Sequence, residues 1–458
     1  MRSQQPAASS QQPAASSQQP LTATPISPIS PISPILPILP ILPLMPALLI
    51  RALRHRNYRL FFSGQGVSLV GTWVTRIAVS WLVYRLTGSA LLLGIVGFAG
   101  QIPALLLAPV AGVLVDRWDK HKILVWTQVL SMLQSLALAL LAIPGIITIT
   151  QIILLQLFQG VIKAFDTPAR QAFVVEMLDD PADLPNAIAL NSMMVNLSRM
   201  LGPSIGGVLI ALVGEGWCFM LDAVSYVAVV ASLLMMRLVT RAATRPGTTM
   251  WDELREGFSY VSGFAPARTV LLLLALIATM GTPYTVLMPA IAKLQLHGGP
   301  HTYGTLMTAS GVGALLGAGY LAARPSIHGL WRLMARSAAL FGAGLVAFAL
   351  SRSLVLSLVI LAFVGAGMMM SMAAVNTVLQ TIVEQRLRGR VMAFYAMAFL
   401  GTAPIGSLIG GVVADHIGAP KTILLGGVVC VLGAGLFRLA IPGLRAQIRE
   451  VYEARGVG

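Results

Sequence analysis

Charge is what this chain lacks. Only 10% of its 458 residues are charged, and just 16 of them are Asp or Glu against 31 Lys and Arg. A soluble protein of this size carries roughly 25% charged residues. With 56% hydrophobic residues and so few charges, the chain cannot cover a water-facing surface, and a bilayer is the solvent that suits it. Cysteine is nearly absent: Cys218 and Cys430 both sit in apolar runs, which excludes a disulfide framework and any zinc spacing. His297 and His301 are four apart, but Gly298-Gly299-Pro300 between them cannot hold a helical metal pair. No Walker motif occurs. Gly311-x-Gly313-x-x-x-Gly317 follows no strand, so it is not a dinucleotide loop. No paired Asp, Ser/Lys or His cluster stands at catalytic spacing. No enzyme activity, metal or cofactor is therefore expected. The net charge of +15 would suggest nucleic acid in a soluble protein, but here it fits Lys and Arg retained on one side of a membrane.

What is present is a series of long apolar runs. Twelve candidate spans fall at about 60–85, 90–115, 122–143, 148–165, 188–213, 217–238, 269–292, 303–323, 334–351, 354–375, 391–414 and 421–441, each near the length of about 20 residues a bilayer requires. The largest polar gap, about 239–268, divides them six and six. It holds Arg241, Arg245, Trp251, Asp252, Glu253, Arg255 and Glu256, and reads as an amphipathic linker on the membrane surface. The expected organisation is a tail at 1–44, bundles at 45–238 and 269–445 around the 239–268 linker, and a second tail at 446–458. Residues 1–44 repeat Gln-Gln-Pro-Ala-Ala-Ser-Ser and then place proline at every third position, which favours extended chain over helix. They lack the form of a signal peptide. A start of translation at Met45 is the other reading.

With the N-terminus inside, the cytoplasmic loops receive Arg51, Arg54, Arg56, Arg59, Arg117, Lys120, Lys122, Arg170 and most other basic residues. The outer loops receive Arg85, Lys293, Arg352 and Lys421. That asymmetry predicts both termini cytoplasmic, in a multi-pass protein of the cytoplasmic (inner) membrane.

The two halves repeat. Gly71-Thr72 matches Gly281-Thr282, Gly94 matches Gly304, and Asp166-Thr167 matches Asn376-Thr377, each pair 210 positions apart. Ile205-Gly206-Gly207-Val208 matches Ile409-Gly410-Gly411-Val412 at an offset of 204. One match is weak; a constant offset across three spans is strong. Duplicated halves place a ligand near the midplane between them.

Three motifs follow. Between spans 2 and 3 stands Gly112-Val-Leu-Val-Asp116-Arg117-Trp-Asp119-Lys120-His121-Lys122, with five charges in eleven positions. Span 5 carries Gly202-Pro203-Ser-Ile-Gly206-Gly207, where proline bends a helix and small residues allow close packing. Span 4 carries Gln156-Leu-Phe-Gln159-Gly160. Together these resemble the major facilitator superfamily of transporters. Arg56 to Gln65, Ser80 to Gly88, Phe165 to Gln171 and Asn191 to Pro203 resemble its enterobactin-exporter and macrolide-efflux branch. The resemblance implies an all-α fold of twelve transmembrane helices in two six-helix bundles. It also implies a cytoplasmic latch in which Gly112, Asp116, Arg117 and Lys120 meet the start of span 11 near Arg390, with Asp166 as the acid ending span 4. The family usually has Gly where Asp119 stands. The span 5 motif resembles that of proton-driven exporters, although Ser198 and Ala189 replace two further glycines, and a simple packing face is the alternative. In span 4 Gln156 replaces the arginine linked to proton coupling, which puts the usual proton route in doubt.

Charges within spans are expensive and face a cavity or a partner. Arg76, Arg199 and Asp222 stand out. Arg76 and Asp222 lie at similar depth and could form a structural ion pair; otherwise they belong to a cavity of surplus positive potential, favouring an anionic or catechol-like substrate. Arg199 either acts on the substrate or is satisfied by Asn191 and Asn196. Since spans 1, 4, 7 and 10 line the cavity in the family, Gln65, Gln156, Gln159, Tyr284 and Asn376 are further candidates. The run Met368-Met-Met370 with Met372 reads either as packing or as an adaptable wall. The expected function is export of an amphipathic siderophore- or drug-like molecule by proton antiport, from a monomer in the bilayer that binds no nucleic acid. An importer or facilitator of the same fold, and a non-transporting receptor or assembly protein, are the alternatives.

Overall fold

The computed structural model describes residues 50–237, 250–324 and 329–454. The tail at 1–44, Met45, and Arg241 and Arg245 of the linker lie outside the described residues. Twelve helices are long and apolar enough to cross a membrane: Arg56–Thr87, Ala90–Ala108, Lys120–Ala142, Ile149–Met177, Pro181–Val213, Glu215–Leu234, Ala265–Gln295, Pro300–Ala322, Leu330–Leu350, Leu354–Ile382, Arg388–Ile417 and Ala419–Leu444. They are spans 1 to 12 below. No strand occurs among the described residues.

Local chemistry sets where the spans start and break. Thr148 and Gln151 form a reciprocal capping box at the start of span 4. Asp119 caps span 3, its carboxylate accepting from the backbone N–H groups of His121 and Lys122. The acid that replaces the family's glycine thus satisfies helix-end donors, a role worth about 1 kcal/mol. Gly88 closes span 1 at φ +64°, a conformation only glycine takes without cost. Span 2 is broken at Gly100-Gln101 into Ala90–Ala99 and Ile102–Arg117. Pro103 lacks an N–H and cannot continue the ladder across the break. Spans 7 and 11 each contain a π-turn, Ile291–Gln295 and Met397–Gly401. Pro203 lies within a helix that continues to Val213. The last helix runs on past the expected span to Ala454.

Loops from one half gather at each end. At the basic end, Ala52 N–H donates to Asn186 Oδ1 (2.9 Å), His121 Nε2 to the Leu233 carbonyl (2.9 Å) and Asn57 Nδ2 to the Arg237 carbonyl (2.7 Å). At the opposite end Arg85 pairs with Glu215 at 2.8 Å. In the second half, Gln295 Nε2 donates to the carbonyls of Ala349 and Ser351 at that same opposite end. The linker forms a helix, Met250–Gly263, whose Glu256 joins the C-terminal half at the basic end.

Candidate functional site

The halves meet through glycines at the end opposite the basic one. A Cβ on Gly94 in span 2 would stand 2.7 Å from the Ser407 carbonyl and 2.8 Å from the Gly411 Cα in span 11. A Cβ on Gly207 in span 5 would stand 2.8 Å from the Pro300 carbonyl and 3.0 Å from the Gly304 Cα in span 8. Backbones approach this closely only without side chains. The two contacts are related by the sequence repeat: Gly94 and Gly304 are one matched pair, Gly207 and Gly411 the other, and each touches a member of the other pair. Trp81 of span 1 stacks on Tyr303 of span 8 at 6.4 Å between centroids, a further contact between the halves at this end.

At the basic end the expected latch is not formed. Asp116 is exposed and makes no ion pair among the described residues. Arg390, its expected neighbour at span 11, pairs instead with Glu256 of the linker helix, and Arg386 pairs with the same carboxylate at 2.7 Å. Lys120 pairs with Glu176 at 2.8 Å; Arg117 is exposed. A Cβ on Gly112 would meet no atom within 4 Å, so this glycine makes no close helix contact here. Spans 2 and 11 touch around Gly94 and Gly411 and as far as Leu105 and Gly401, while the linker helix packs on the start of span 11, where a Cβ on Gly257 would stand 3.2 Å from Arg390 Cβ and 2.9 Å from the Phe394 ring.

Inside the N-terminal half lies a polar core. Asp222 of span 6 is buried, and its Oδ2 accepts from Thr75 Oγ1 (2.8 Å) and Ser135 Oγ (2.9 Å). Its Oδ1 has no hydrogen-bond partner among the described residues. Toward the basic end, Asp166 of span 4 accepts from Thr127 Oγ1 (3.0 Å) and Gln128 Nε2 (2.6 Å) and pairs with Arg170. Of the two readings of Arg76 and Asp222, the structural ion pair is not formed among the described residues. Thr75 faces span 6, and its neighbour Arg76, about 100° further round the same helix, points elsewhere. The Arg76 guanidinium lies over the Trp73 ring, 5.1 Å from its centroid.

Arg76 is exposed although it lies deep among the spans, within electrostatic range of Arg199 on span 5 and Tyr303 on span 8. Lys163 of span 4 lies within range of Arg76 and Asp222. Sequence reasoning missed Lys163. The signal was there: a lone cation in the apolar run of span 4, seven residues after Gln156 and so on the same helical face. Arg199 is partly accessible and bonded to no described residue; Asn196 donates to its own helix, at the Ser192 carbonyl. Its backbone carbonyl lies 3.3 Å from where a Cβ on Gly311 of span 8 would stand, so Arg199 sits where the halves meet.

The remaining candidates scatter. Gln156 Oε1 comes within 3.2 Å of a Cβ position on Gly100, at the break in span 2, and Gln159 Oε1 is buried without a partner. Gln65 is buried. Tyr284 is buried too, its hydroxyl 2.9 Å from Ser310 Oγ and its ring edge-on to Phe341, so it belongs to packing in the C-terminal half. Asn376 accepts from Gln380 Nε2 at 2.6 Å. Gly202 and Gly206 pack on Trp73 and Val74 of span 1, and Pro203 is buried beside Gly304. The span 5 motif therefore serves two interfaces. A separate groove of about 730 Å³, lined by Trp126, Phe158, Phe165 and Arg117, lies between spans 3 and 4 beside the 2–3 loop. Among the described residues no group of three His, Cys, Asp or Glu could hold a metal ion.

A family model described as transmembrane secretion effector matches residues 50–452. The staphyloferrin A transporter of Staphylococcus aureus is 27% identical over 86% of this chain and 98% of its own length. The multidrug efflux pump Tap of Mycolicibacterium fortuitum is 28% identical over 82% of this chain and 93% of its own. Among solved structures, a bacterial homolog of the human lysosomal transporter Spinster, in an inward-facing and unoccupied conformation, superposes with a TM-score of 0.61. It is 16% identical over 84% of this chain and 97% of that one, a likeness of fold.

Proposed function

We propose that this chain, which belongs to the transmembrane secretion effector family of the major facilitator superfamily, exports an amphipathic siderophore- or drug-like molecule in exchange for protons. The observation that carries the reading is an asymmetry between the two ends: glycine contacts and the Trp81–Tyr303 stack join the halves at one end, while at the other Asp116 is exposed and Arg390 is held by Glu256. In the proposed cycle the basic end is cytoplasmic, as Lys and Arg retention favours. Substrate enters there, the basic ends close, and the glycine contacts part on the far side.

Closure brings Asp116, with Gly112, Arg117 and Lys120 around it, to the start of span 11. Its carboxylate then meets the positive end of that helix and Arg390. Asp222 carries the proton. It is a buried carboxylate with one unpartnered oxygen, and Asp166, Gln128 and Lys163 line the way to it from the basic end. This route needs no arginine at Gln156. The transporter works as a monomer, with the two bundles as its moving parts and the 239–268 linker joining them.

The test uses inverted membrane vesicles with an acid interior and a pool of siderophores and macrolides. Gradient-dependent accumulation, lost in Asp222→Asn, is the expected result. Accumulation indifferent to the gradient would remove proton exchange. Uptake into cells with no efflux would overturn the direction.

A further inference from the structure

Spans 3 and 4 leave a groove of about 730 Å³ between them beside the 2–3 loop, and nothing in the proposed cycle uses it. Its walls are two helical stripes. Span 3 contributes Lys122, Trp126 and Leu130, each four residues apart. Span 4 contributes Phe158, Val161, Ile162 and Phe165, at the three- and four-residue steps of one helix face. The stripes open to the outside of the bundle: Trp126 is 65% exposed, and Phe158 and Val161 are exposed as well. A hydrogen bond on the groove floor fixes the register, Thr127 Oγ1 donating to Asp166 Oδ1 at 3.0 Å. The two helices run antiparallel, so Phe165 stands near the basic end and Phe158 deeper. From Lys122 to Leu130 the helix rises about 12 Å. One leaflet of hydrocarbon is about 15 Å deep, half of a core about 30 Å thick. The groove therefore runs from the basic end down most of one leaflet.

Its chemistry divides by depth. Below the mouth the lining is apolar apart from Thr127, whose hydroxyl is already committed to Asp166 and the Leu124 carbonyl. At the mouth stand Arg117, Trp118, Asp119 and Lys122, two cations against one acid. Asp119 spends Oδ1 on the backbone N–H groups that open span 3. Its Oδ2 is 3.9 Å from Lys122 Nζ, a loose contact between exposed side chains that is worth little. Arg117 makes no ion pair among the described residues, and its exposed neighbour Asp116 does not line the groove. The other cations nearby, Lys120 and Arg170, are taken by Glu176 and Asp166. The mouth thus carries positive charge that the protein leaves unpaired. Trp118 beside it is exposed, an aromatic of the kind that settles at the polar boundary of a bilayer.

We infer that this groove binds one anionic phospholipid, its phosphate held by Arg117 and Lys122 and an acyl chain laid between Trp126 of span 3 and Phe158 of span 4. The guanidinium offers a fork matched to phosphate oxygens, and the lysine stem lies along apolar surface while its ammonium reaches headgroup level. Basic pockets between helices at the cytoplasmic face take anionic headgroups on this principle. A soluble anion would leave the apolar walls uncovered, and an uncharged chain would leave two cations unpaired at the mouth. An anionic lipid meets both.

The inference depends neither on what is transported nor on the direction, and its test needs no transport. The full-length chain is placed in phosphatidylcholine nanodiscs carrying a small share of phosphatidylglycerol, with bromine on the chains of one lipid at a time. Bromine quenches tryptophan on contact, and the difference between the unaltered protein and Trp126→Phe isolates the signal of Trp126. Competition between brominated and plain lipid then gives the preference for phosphatidylglycerol over phosphatidylcholine. A preference of about tenfold is expected, from two cations set against one half-spent acid. The double variant Arg117→Gln with Lys122→Gln should bring it to about one. Arg117→Lys with Lys122→Arg, which keeps both charges, should retain it and separates loss of charge from loss of fold. Trp217, exposed at the opposite end, should show no preference when isolated in the same way by Trp217→Phe. No preference at Trp126, an equal one at Trp217, or one that survives in the Gln pair would overturn the inference. Quenching of Trp126 by neither lipid would also overturn it, since another occupant, a partner protein or a transported molecule, would then cover the groove. If the Gln pair fails to fold, the comparison of Trp126 with Trp217 still decides.

Discussion

Gly71 in span 1 and Gly281 in span 7 hold matching places in the two halves, yet they face opposite chemistry. A side chain at Gly71 would press on the Asp222 carboxylate, 2.7 Å from the Cβ position; one at Gly281 would run into the Phe341 ring. The 204-residue offset carried into span 12 sets Gly426 where Asp222 stands, and Gly426 packs on the backbone of Met280 in span 7. Among the described residues, every buried Asp, Glu and Gln belongs to the N-terminal half. The buried residues of polar type in the C-terminal half are Ser and Thr, such as Ser310, Ser337 and Ser371. The duplication has kept backbone contacts, which need small residues in symmetric places, and has let the side-chain chemistry diverge. One half carries charge and the other is the apolar wall it works against.

The sharpest way to break this comparison is at the symmetric contacts. Gly94→Leu and Gly207→Leu should each abolish transport, because each puts a side chain where two backbones touch. Equal loss in vesicle accumulation supports equivalence of the two contacts; a silent variant at either would end it. Next in size is the asymmetric core. Asp222→Leu leaves the hydroxyls of Thr75 and Ser135 without their acceptor, at about 1–3 kcal/mol for each buried group left unpaired. A clear fall in thermal unfolding temperature is expected. Gly426→Asp should destabilise as much or more, since a side chain there would press on the backbone carbonyl of Met280, an acceptor that repels a carboxylate. Tolerance of that variant would show that the apolar half is polar in practice.

Smaller effects are expected at the basic end. Asp116→Asn should slow transport while changing stability by less than about 0.5 kcal/mol, because Asp116 has no ion pair in this conformation. Turnover and thermal unfolding on the same samples separate the two. The smallest effect concerns His55, just before span 1. Burial disfavours its charged form, but hydrogen bonds to Asp179 (3.1 Å) and Asp183 (3.0 Å) outweigh that and raise its pKa above the usual 6.5. A raised folded-state pKa gives stability that is full below pH 6.5 and lost as pH climbs through the raised value. Asp179 is largely exposed, so the gain is below about 1 kcal/mol. Limited proteolysis near residue 50 should speed up as pH rises through that window. His55→Gln should remove the dependence.

The span count was legible because hydropathy is a local property of the chain. The glycine contacts were half legible: the repeat matched Gly94 with Gly304 and Gly207 with Gly411, but not which touched which. Lys163 was overlooked because a single cation does little to the hydropathy of span 4. Whether Arg76 pairs with Asp222 was left open by the sequence, because equal depth does not fix the rotation of two helices about their axes.

Composition and periodicity by themselves determined that this is a twelve-span, duplicated membrane protein with its basic residues biased to one side. Those follow from the cost of bringing polar groups into lipid, which acts on each segment separately. That glycine backbones join the halves at the end opposite the basic one, that Asp116 stands free while Glu256 holds Arg390, and that Asp222 is turned to Thr75 and Ser135 were decided only by the tertiary structure. Each of these depends on how helices distant in sequence are turned and tilted against one another, and that is set by packing summed over both halves.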